Sequence, residues 1–301
     1  TSETAAKLTA ERTAMTKECA AKFDLKATAD KDLPALATLY ANAGSLDLAT
    51  AAMTRALAAT SWTPTERASL LSQSISLMLR EPKSDARNAR IEKVVDQLDA
   101  MPDALDQKVS AHMSMNGYYR ADDIDAGIEK HSTWLINTGK TLSPEMRKKY
   151  GSSMLSAYTD MAEAWAGHGR TAEALALLRR AAPEWPEVPT AESRMQPIID
   201  RYLLVGTKGA SITAPRFLNA PAGTTHMDMT GGVTLLEFTA HWCGPCRESY
   251  PGVNRLRARF GPRGFKVVMA TQLYGYFQTE AKLNAATELE RDRTYFAEHG
   301  L

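Results

Sequence analysis

The sequence predicts a multidomain protein: an α-helical array over residues 1–207, then an α/β unit over residues 208–301. Three observations carry this. Apolar residues in the first 206 positions recur at intervals of three and four, the period of a helix buried on one face, and no convincing strand pattern appears there. The composition changes at Gly206-Thr207-Lys208-Gly209-Ala210-Ser211, a cluster with the character of a linker. Beyond it, short apolar runs alternate with helical patterns. The order strand, helix, strand, helix implies a parallel βαβ unit with a right-handed crossover. A chain of 301 residues is also long for a single core.

In the first region helices are expected at roughly 3–23, 31–43, 45–59, 64–80, 84–100, 102–119, 122–138, 143–167, 170–182 and 187–205. Pro64, Pro102 and Pro144 each sit just inside an expected start, where a missing N–H costs nothing, and Thr63 and Ser143 are candidate caps. Tyr118, Tyr119 and the methionines around 113–115 are expected in the helix core. Two stretches echo each other. Leu36-Ala37-Thr38-Leu39-Tyr40-Ala41-Asn42-Ala43-Gly44 is followed by Asp47, Ala49, Ala52 and Ala56. Met161-Ala162-Glu163-Ala164-Trp165-Ala166-Gly167-His168-Gly169 is followed by Ala172, Ala174, Leu178 and Ala181. A weaker copy runs through Tyr118-Tyr119, Asp123 and Asp125-Ala126-Gly127-Ile128. The first two resemble the tetratricopeptide pattern: large apolar residues on a first helix, a Gly turn, then small residues on a second. The spacing between copies is uneven, so a divergent repeat array is expected, with an irregular helical bundle as the alternative.

In the second region Ile212 to Met229 carries Pro215, Pro221 and Gly223 and little helical pattern. Gly231-Gly232 turns into an apolar run, 233–239, that reads as a buried strand. A helix is expected at 244–260 with a kink at Pro251, then a Gly261-Pro262-Arg263-Gly264 loop, a second strand at 265–271 and a helix from 280 to about 299. Glu288, Glu290, Arg291, Asp292 and Arg293 read as the solvated face of that last helix.

The chemistry is expected at the junction of the first strand and its helix, in His241-Trp242-Cys243-Gly244-Pro245-Cys246. Two cysteines three apart, between a strand and a helix, suit a dithiol/disulfide centre. A thiolate is the attacking species, and a helix N-terminus favours negative charge there. Cys243 is therefore the candidate nucleophile and Cys246, one turn on, the candidate resolving thiol. Pro245 fits the first turn of the helix, and Trp242 is a candidate apolar lip. Glu237 is the only ionisable residue in an otherwise apolar strand that is expected to be central. A buried carboxylate holds its proton more tightly than a solvated one, so Glu237 is a candidate proton relay to Cys246; a solvent-facing position on an edge strand is the alternative.

Leu-Leu-Glu-Phe-Thr-Ala-His-Trp-Cys-Gly-Pro-Cys-Arg-Glu-Ser-Tyr-Pro, over 235–251, resembles the active-site segment of thioredoxin-like proteins. With Ala214-Pro215-Arg216-Phe217 upstream it is most similar to the extracytoplasmic TlpA/ResA branch. The resemblance covers residues 212–301. It implies a thioredoxin-like fold, with Cys243 and Cys246 as nucleophile and resolving cysteine, Glu237 at the buried-acid position, and Trp242, Gly244, Pro245 and His241 beside the substrate. Thr239 stands where the family has an aromatic residue and His241 where it has a small or polar one; His241 can tune the thiolate or lie on the surface. The family continues with two antiparallel strands, the first preceded by a cis-proline facing the dithiol, and a final helix. These would follow Leu301, so only the N-terminal part of the fold is expected here, with an unprotected strand edge.

Composition narrows the classes. The chain has 36 basic and 35 acidic side chains, net charge +1, and this argues against a nucleic-acid partner. No apolar run is long enough to cross a membrane. No signal peptide is visible, and the Thr1-Ser2-Glu3 start suggests a mature or trimmed product. The third cysteine, Cys19, is expected to pack as a small apolar residue, or else to act as an intermolecular or resolving thiol. A zinc site is disfavoured because no second CxxC or histidine pair completes four ligands. Gly139-Lys140-Thr141 lacks the earlier glycine of a phosphate loop, since position 134 is Trp. No cofactor is implied. Two function classes remain: an extracytoplasmic, periplasmic thiol-disulfide oxidoreductase with a disulfide-containing protein substrate and an upstream thiol donor, or a helical interaction module carrying an inactive thioredoxin-like part.

Overall fold

The structure, a computed structural model, describes residues 2–209, 211–221, 223–227, 229 and 231–301, and the side chains from residue 7 onward. Ala210 of the linker cluster lies outside the described residues. The chain separates into two compact units, Thr1–Val205 and Gly206–Leu301. It is mainly helical, with a few small sheets in the second unit.

The first unit is a succession of helices: α1 (Ser2–Ala20), α2 (Leu33–Asn42), α3 (Leu46–Ala58), α4 (Pro64–Met78), α5 (Asp85–Asp99), α6 (Leu105–Ala121), α7 (Asp125–Thr141), α8 (Pro144–Gly167), α9 (Thr171–Glu184) and α10 (Ala191–Leu203). Two expected caps are in place. Thr63 accepts the Glu66 N–H, with Glu66 returning a bond to the Thr63 N–H, and Ser143 accepts the Met146 N–H. Pro64 and Pro144 open their helices. Pro102 does not. It lies in a turn before Leu105, next to Asp103 in the left-handed region at φ 52°, because the helical pattern starts later than the proline.

Three helix pairs, α2/α3, α6/α7 and α8/α9, share one turn. Ser45, Ile124 and Arg170 donate their N–H to the carbonyls of Tyr40, Tyr119 and Trp165, each five residues back. The residue before each donor is left-handed: Gly44 at φ 81°, Asp123 at 56° and Gly169 at 79°. This is the Schellman closure of a helix C-terminus, and aspartate is among the few non-glycine residues that tolerate it. Nine residues past each aromatic, Ala49, Ile128 and Ala174 are buried in the facing helix. At Gly127 the helices come closer still: a β-carbon there would lie 2.2 Å from the Tyr119 ring.

The core of this unit is three apolar clusters, built around Leu33 and Leu36, around Ile75, Ile91 and Met115, and around Met154, Tyr158 and Trp185. Met115 and Tyr119 are in the core as expected. Between α5, α6 and α7 lies a polar chain. The Nδ1 atoms of His112 and His131 are 2.8 Å apart, His112 Nε2 is 3.2 Å from the Asp99 carboxylate, and His131 Nε2 is 3.0 Å from Glu92. Both rings are fully buried, and His112 stacks on Trp134. Cys19 is exposed rather than packed in the core. It falls on the outer side of α1, and its neighbour Ala20 takes the buried place.

In the second unit, β1 (Ile212–Thr213) and β2 (His226–Met227) form an antiparallel pair. β3 (Thr234–Phe238) leads through residues 239–243 into α11 (Gly244–Phe260), and β4 (Lys266–Ala270) returns parallel to β3, with Thr234 opposite Lys266 and Phe238 opposite Ala270. This is the expected strand, helix, strand unit, and α11 runs without interruption through Pro251. β5 (Tyr276–Phe277) and β6 (Glu280–Ala281) make a hairpin before α12 (Ala285–Glu298). The last helix thus starts later than residue 280, where Asn284 caps it by accepting the Thr287 N–H. The small core joins Tyr250, Phe277, Tyr295 and Phe296.

Two expectations about this unit fail. The apolar run of β3 is only partly buried. Among the described residues its sheet has two strands, so one side of β3 is unpaired, and Phe238 is 77% exposed. The charges on α12 are not all solvated: Glu288 and Asp292, one turn apart, are each 1% exposed. They face inward because the loop after β4 folds back over α12, and the Glu288 carboxylate accepts the N–H groups of Tyr274 and Gly275 at 2.5 and 2.8 Å.

Candidate functional site

β3 ends at Phe238, and the backbone pairing extends one step further, with the Thr239 N–H on the Ala270 carbonyl. The chain then turns through Ala240, His241 and Trp242 and enters α11 at Gly244. Cys243 is the helix N-cap. Its Sγ accepts the Cys246 N–H at 3.3 Å, so sulfur does what a serine or aspartate oxygen does at other helix starts. The two cysteines are joined as a disulfide, with 5.3 Å between their Cα atoms. Cys246 Sγ packs against the small core, 3.9 Å from the Phe238 carbonyl oxygen. Helix geometry explains the pairing: cap and third helical residue lie on one face, one turn apart.

Trp242 is 55% exposed, and its ring meets that of Tyr274 edge-on at 5.5 Å. Gly244 and Pro245 are the first two residues of α11, Pro245 exposed. Glu237 is half-buried on the α11 side of β3. Its Oε1 is 2.7 Å from the Ser249 hydroxyl, which is also 2.7 Å from the Cys246 carbonyl oxygen. Ser249 therefore stands between Glu237 and the backbone of the second cysteine. Sequence reasoning passed over it, although its position three residues after Cys246 puts it on the same helix face. Thr239 and Tyr250 share a buried hydroxyl–hydroxyl bond of 2.6 Å that ties the end of β3 to α11. Burial is the main influence holding the Tyr250 phenol above its ordinary value.

His241 turns away from solvent, so a surface position for it is ruled out; it is 5% exposed. Its ring lies among those of Tyr274, Tyr276 and Phe277, with centroids 5.9, 5.2 and 4.8 Å away. The nearest carboxylate oxygen is Asp292 Oδ1, 3.5 Å from Nδ1, an ion-pair distance that is long for a hydrogen bond. Burial drives the Asp292 carboxyl above the ordinary carboxylate range, Glu288 adds to this, and His241 opposes it. No sequence signal pointed to this partner beyond the four-residue spacing of two acids on one helix. Among the described residues no group of three or more His, Cys, Asp or Glu side chains is placed to hold a metal.

No family model matches the chain, and no curated protein or solved structure is significantly similar to it. Among the described residues no helix is long and apolar enough to cross a membrane.

Proposed function

We propose that this protein is a thiol-disulfide oxidoreductase of thioredoxin-like type, acting through Cys243 and Cys246. The observation that carries the reading is the disulfide at the N-cap of α11, with the Cys246 N–H directed at Cys243 Sγ. In the reduced protein that N–H and the helix terminus stabilise a Cys243 thiolate. The thiolate attacks one sulfur of a substrate disulfide; the S–S bond breaks, a Cys243–substrate mixed disulfide forms, and the second substrate sulfur leaves as a thiolate. Cys246 then loses its proton and attacks Cys243 Sγ. The Cys243–Cys246 bond re-forms and the substrate leaves as a dithiol, having gained two electrons and two protons. Glu237 is the acceptor for that proton, held beside the first turn of α11 by Ser249, whose hydroxyl bonds both its carboxylate and the Cys246 carbonyl oxygen. An upstream thiol donor restores the dithiol. Trp242, exposed beside the disulfide, supplies the apolar contact for a protein substrate. The helical unit serves as the substrate- or partner-binding surface, and the setting is extracytoplasmic.

The test is turnover of insulin disulfides by the full-length chain with dithiothreitol as donor. Reduction well above the donor-only rate is expected, and Cys246→Ser is expected to accumulate a mixed disulfide through Cys243. A chain that neither reduces insulin nor, as Cys246→Ser, traps any disulfide partner is not such an enzyme.

A further inference from the structure

A histidine two residues before a redox cysteine, fully enclosed and facing a buried acid, has a role beyond packing. Neither ring nitrogen of His241 makes a hydrogen bond, and Asp292 Oδ1 is likewise without one, yet the two side chains face each other at 3.5 Å. Buried polar groups normally find partners, and an unpaired buried ion is strongly disfavoured. The surroundings leave little choice of partner. Tyr274, Tyr276 and Phe277 present rings to His241. On the α12 side the titratable groups are Asp292 and Glu288, and Glu288 is already committed as an acceptor of two backbone N–H groups. His241 and Asp292 therefore share one proton: either a neutral imidazole faces a neutral acid, or an imidazolium faces a carboxylate.

We propose that His241 is a positioning residue for the dithiol, and that with Asp292 it forms a buried acid–imidazole pair, neutral overall, whose proton moves from Asp292 to the ring when Cys243 is a thiolate. The inference rests on the oxidoreductase reading. With the disulfide closed, the nearby sulfur is neutral and nothing favours the ionic form of the pair. On reduction a negative charge appears at Cys243, whose Cα lies within about 7 Å of that of His241, two residues along the chain. A cation on the ring attracts it, and Asp292 holds the cation in place. Unit charges roughly 10 Å apart in a half-buried site shift each other's titration by about one pH unit, and the effect is reciprocal.

The experiment is a pH titration of the His241 ring by nuclear magnetic resonance in the full-length protein, oxidised and then reduced with dithiothreitol. In parallel, the Cys243 thiolate is titrated by its ultraviolet absorbance in the wild type, His241→Gln and Asp292→Asn. The expected results are a His241 midpoint about one unit higher in the reduced state, a Cys243 midpoint raised by a smaller amount in His241→Gln, because the Asp292 carboxylate partly offsets the charge on the ring, and a lower His241 midpoint in Asp292→Asn. A His241 midpoint that does not change with redox state overturns the proposal. This comparison needs no substitution, so it decides the matter even if the variants fail to fold. Failure of the oxidoreductase reading appears separately, as absence of insulin turnover in a chain whose dithiol still titrates.

Discussion

Replacing Glu92 with glutamine removes a charge shared by three donors. Its carboxylate lies 3.0 Å from His131 Nε2, accepts the Tyr119 hydroxyl at 2.5 Å, and pairs with Lys130. Burial pushes the carboxyl up, but the bonds from His131, Lys130 and Tyr119 outweigh it and hold it at about 2, against an ordinary value of 4.5. A gap of about 2.5 units amounts to at most about 3 kcal/mol in favour of the folded, ionised state. The folded value lies below the unfolded one, so this stability is complete above the unfolded value and is lost as the pH falls towards the folded one. The contribution is about 3 kcal/mol at pH 7 and about 1 kcal/mol at pH 3. Glutamine keeps the shape and one acceptor, so the packing of α5 against α6 and α7 is preserved. Urea unfolding of the full-length chain, followed by helical circular dichroism, is expected to place Glu92→Gln about 2–3 kcal/mol below the wild type at pH 7, with the deficit shrinking towards pH 3. A deficit under about 1 kcal/mol at pH 7, or one that stays constant down to pH 3, refutes the linkage.

Two further outcomes concern the same unit. Burial, the largest influence, holds the His112 imidazole below its ordinary value against the pull of Asp99. A folded value below the unfolded one means stability is lost as the pH falls through about 6.5, so His112→Gln should have a flatter melting temperature profile between about pH 6.5 and 5 than the wild type, and an unchanged slope contradicts the assignment. Gly127→Ala drives a β-carbon to 2.2 Å from the Tyr119 ring and should cost about 1–3 kcal/mol in urea unfolding. At Gly117, inside α6, a β-carbon meets nothing within 4 Å, so Gly117→Ala should instead stabilise by up to about 1 kcal/mol; equal effects at the two sites remove the close-approach argument.

Much of the architecture was readable because helical periodicity is a local signal. The spans from α2 to α10, the caps Thr63 and Ser143, and the span of α11 all follow from residues within a few positions of each other, although α11 continues through Pro251, where the sequence predicts a kink. Large apolar residues, a Gly turn and small residues on the next helix also marked α2/α3 and α8/α9, whereas α6/α7 was a weaker echo because Asp123 stands at its turn. The misses depend on what lies across the fold. Glu288 and Asp292 have the composition of a solvated face, but a loop 14 residues upstream of Glu288 donates two N–H groups to one and buries the other. The alternative of a surface position for His241 stayed open because nothing adjacent to it in sequence encloses it; its aromatic walls are more than 30 positions away. The run Val233 to Phe238 is apolar enough for a buried strand, yet burial depends on neighbours that a strand cannot supply for itself. Pro102 misled because a proline marks a helix start only when the following residue continues the turn, and Asp103 does not.

The sulfur of Cys243 serves two purposes, closing the disulfide and capping α11. Oxidation and local folding are therefore joined in one thermodynamic cycle. A thiolate with its full negative charge caps a helix more strongly than a disulfide sulfur. Through this contribution the folded chain prefers the reduced centre more than an unfolded chain does, and its reduction potential rises to match. A cap difference of about 1 kcal/mol corresponds to roughly 20 mV for a two-electron couple. Any residue that frays or firms the first turn of α11 is then also an adjustment of electron affinity, even if it never touches sulfur.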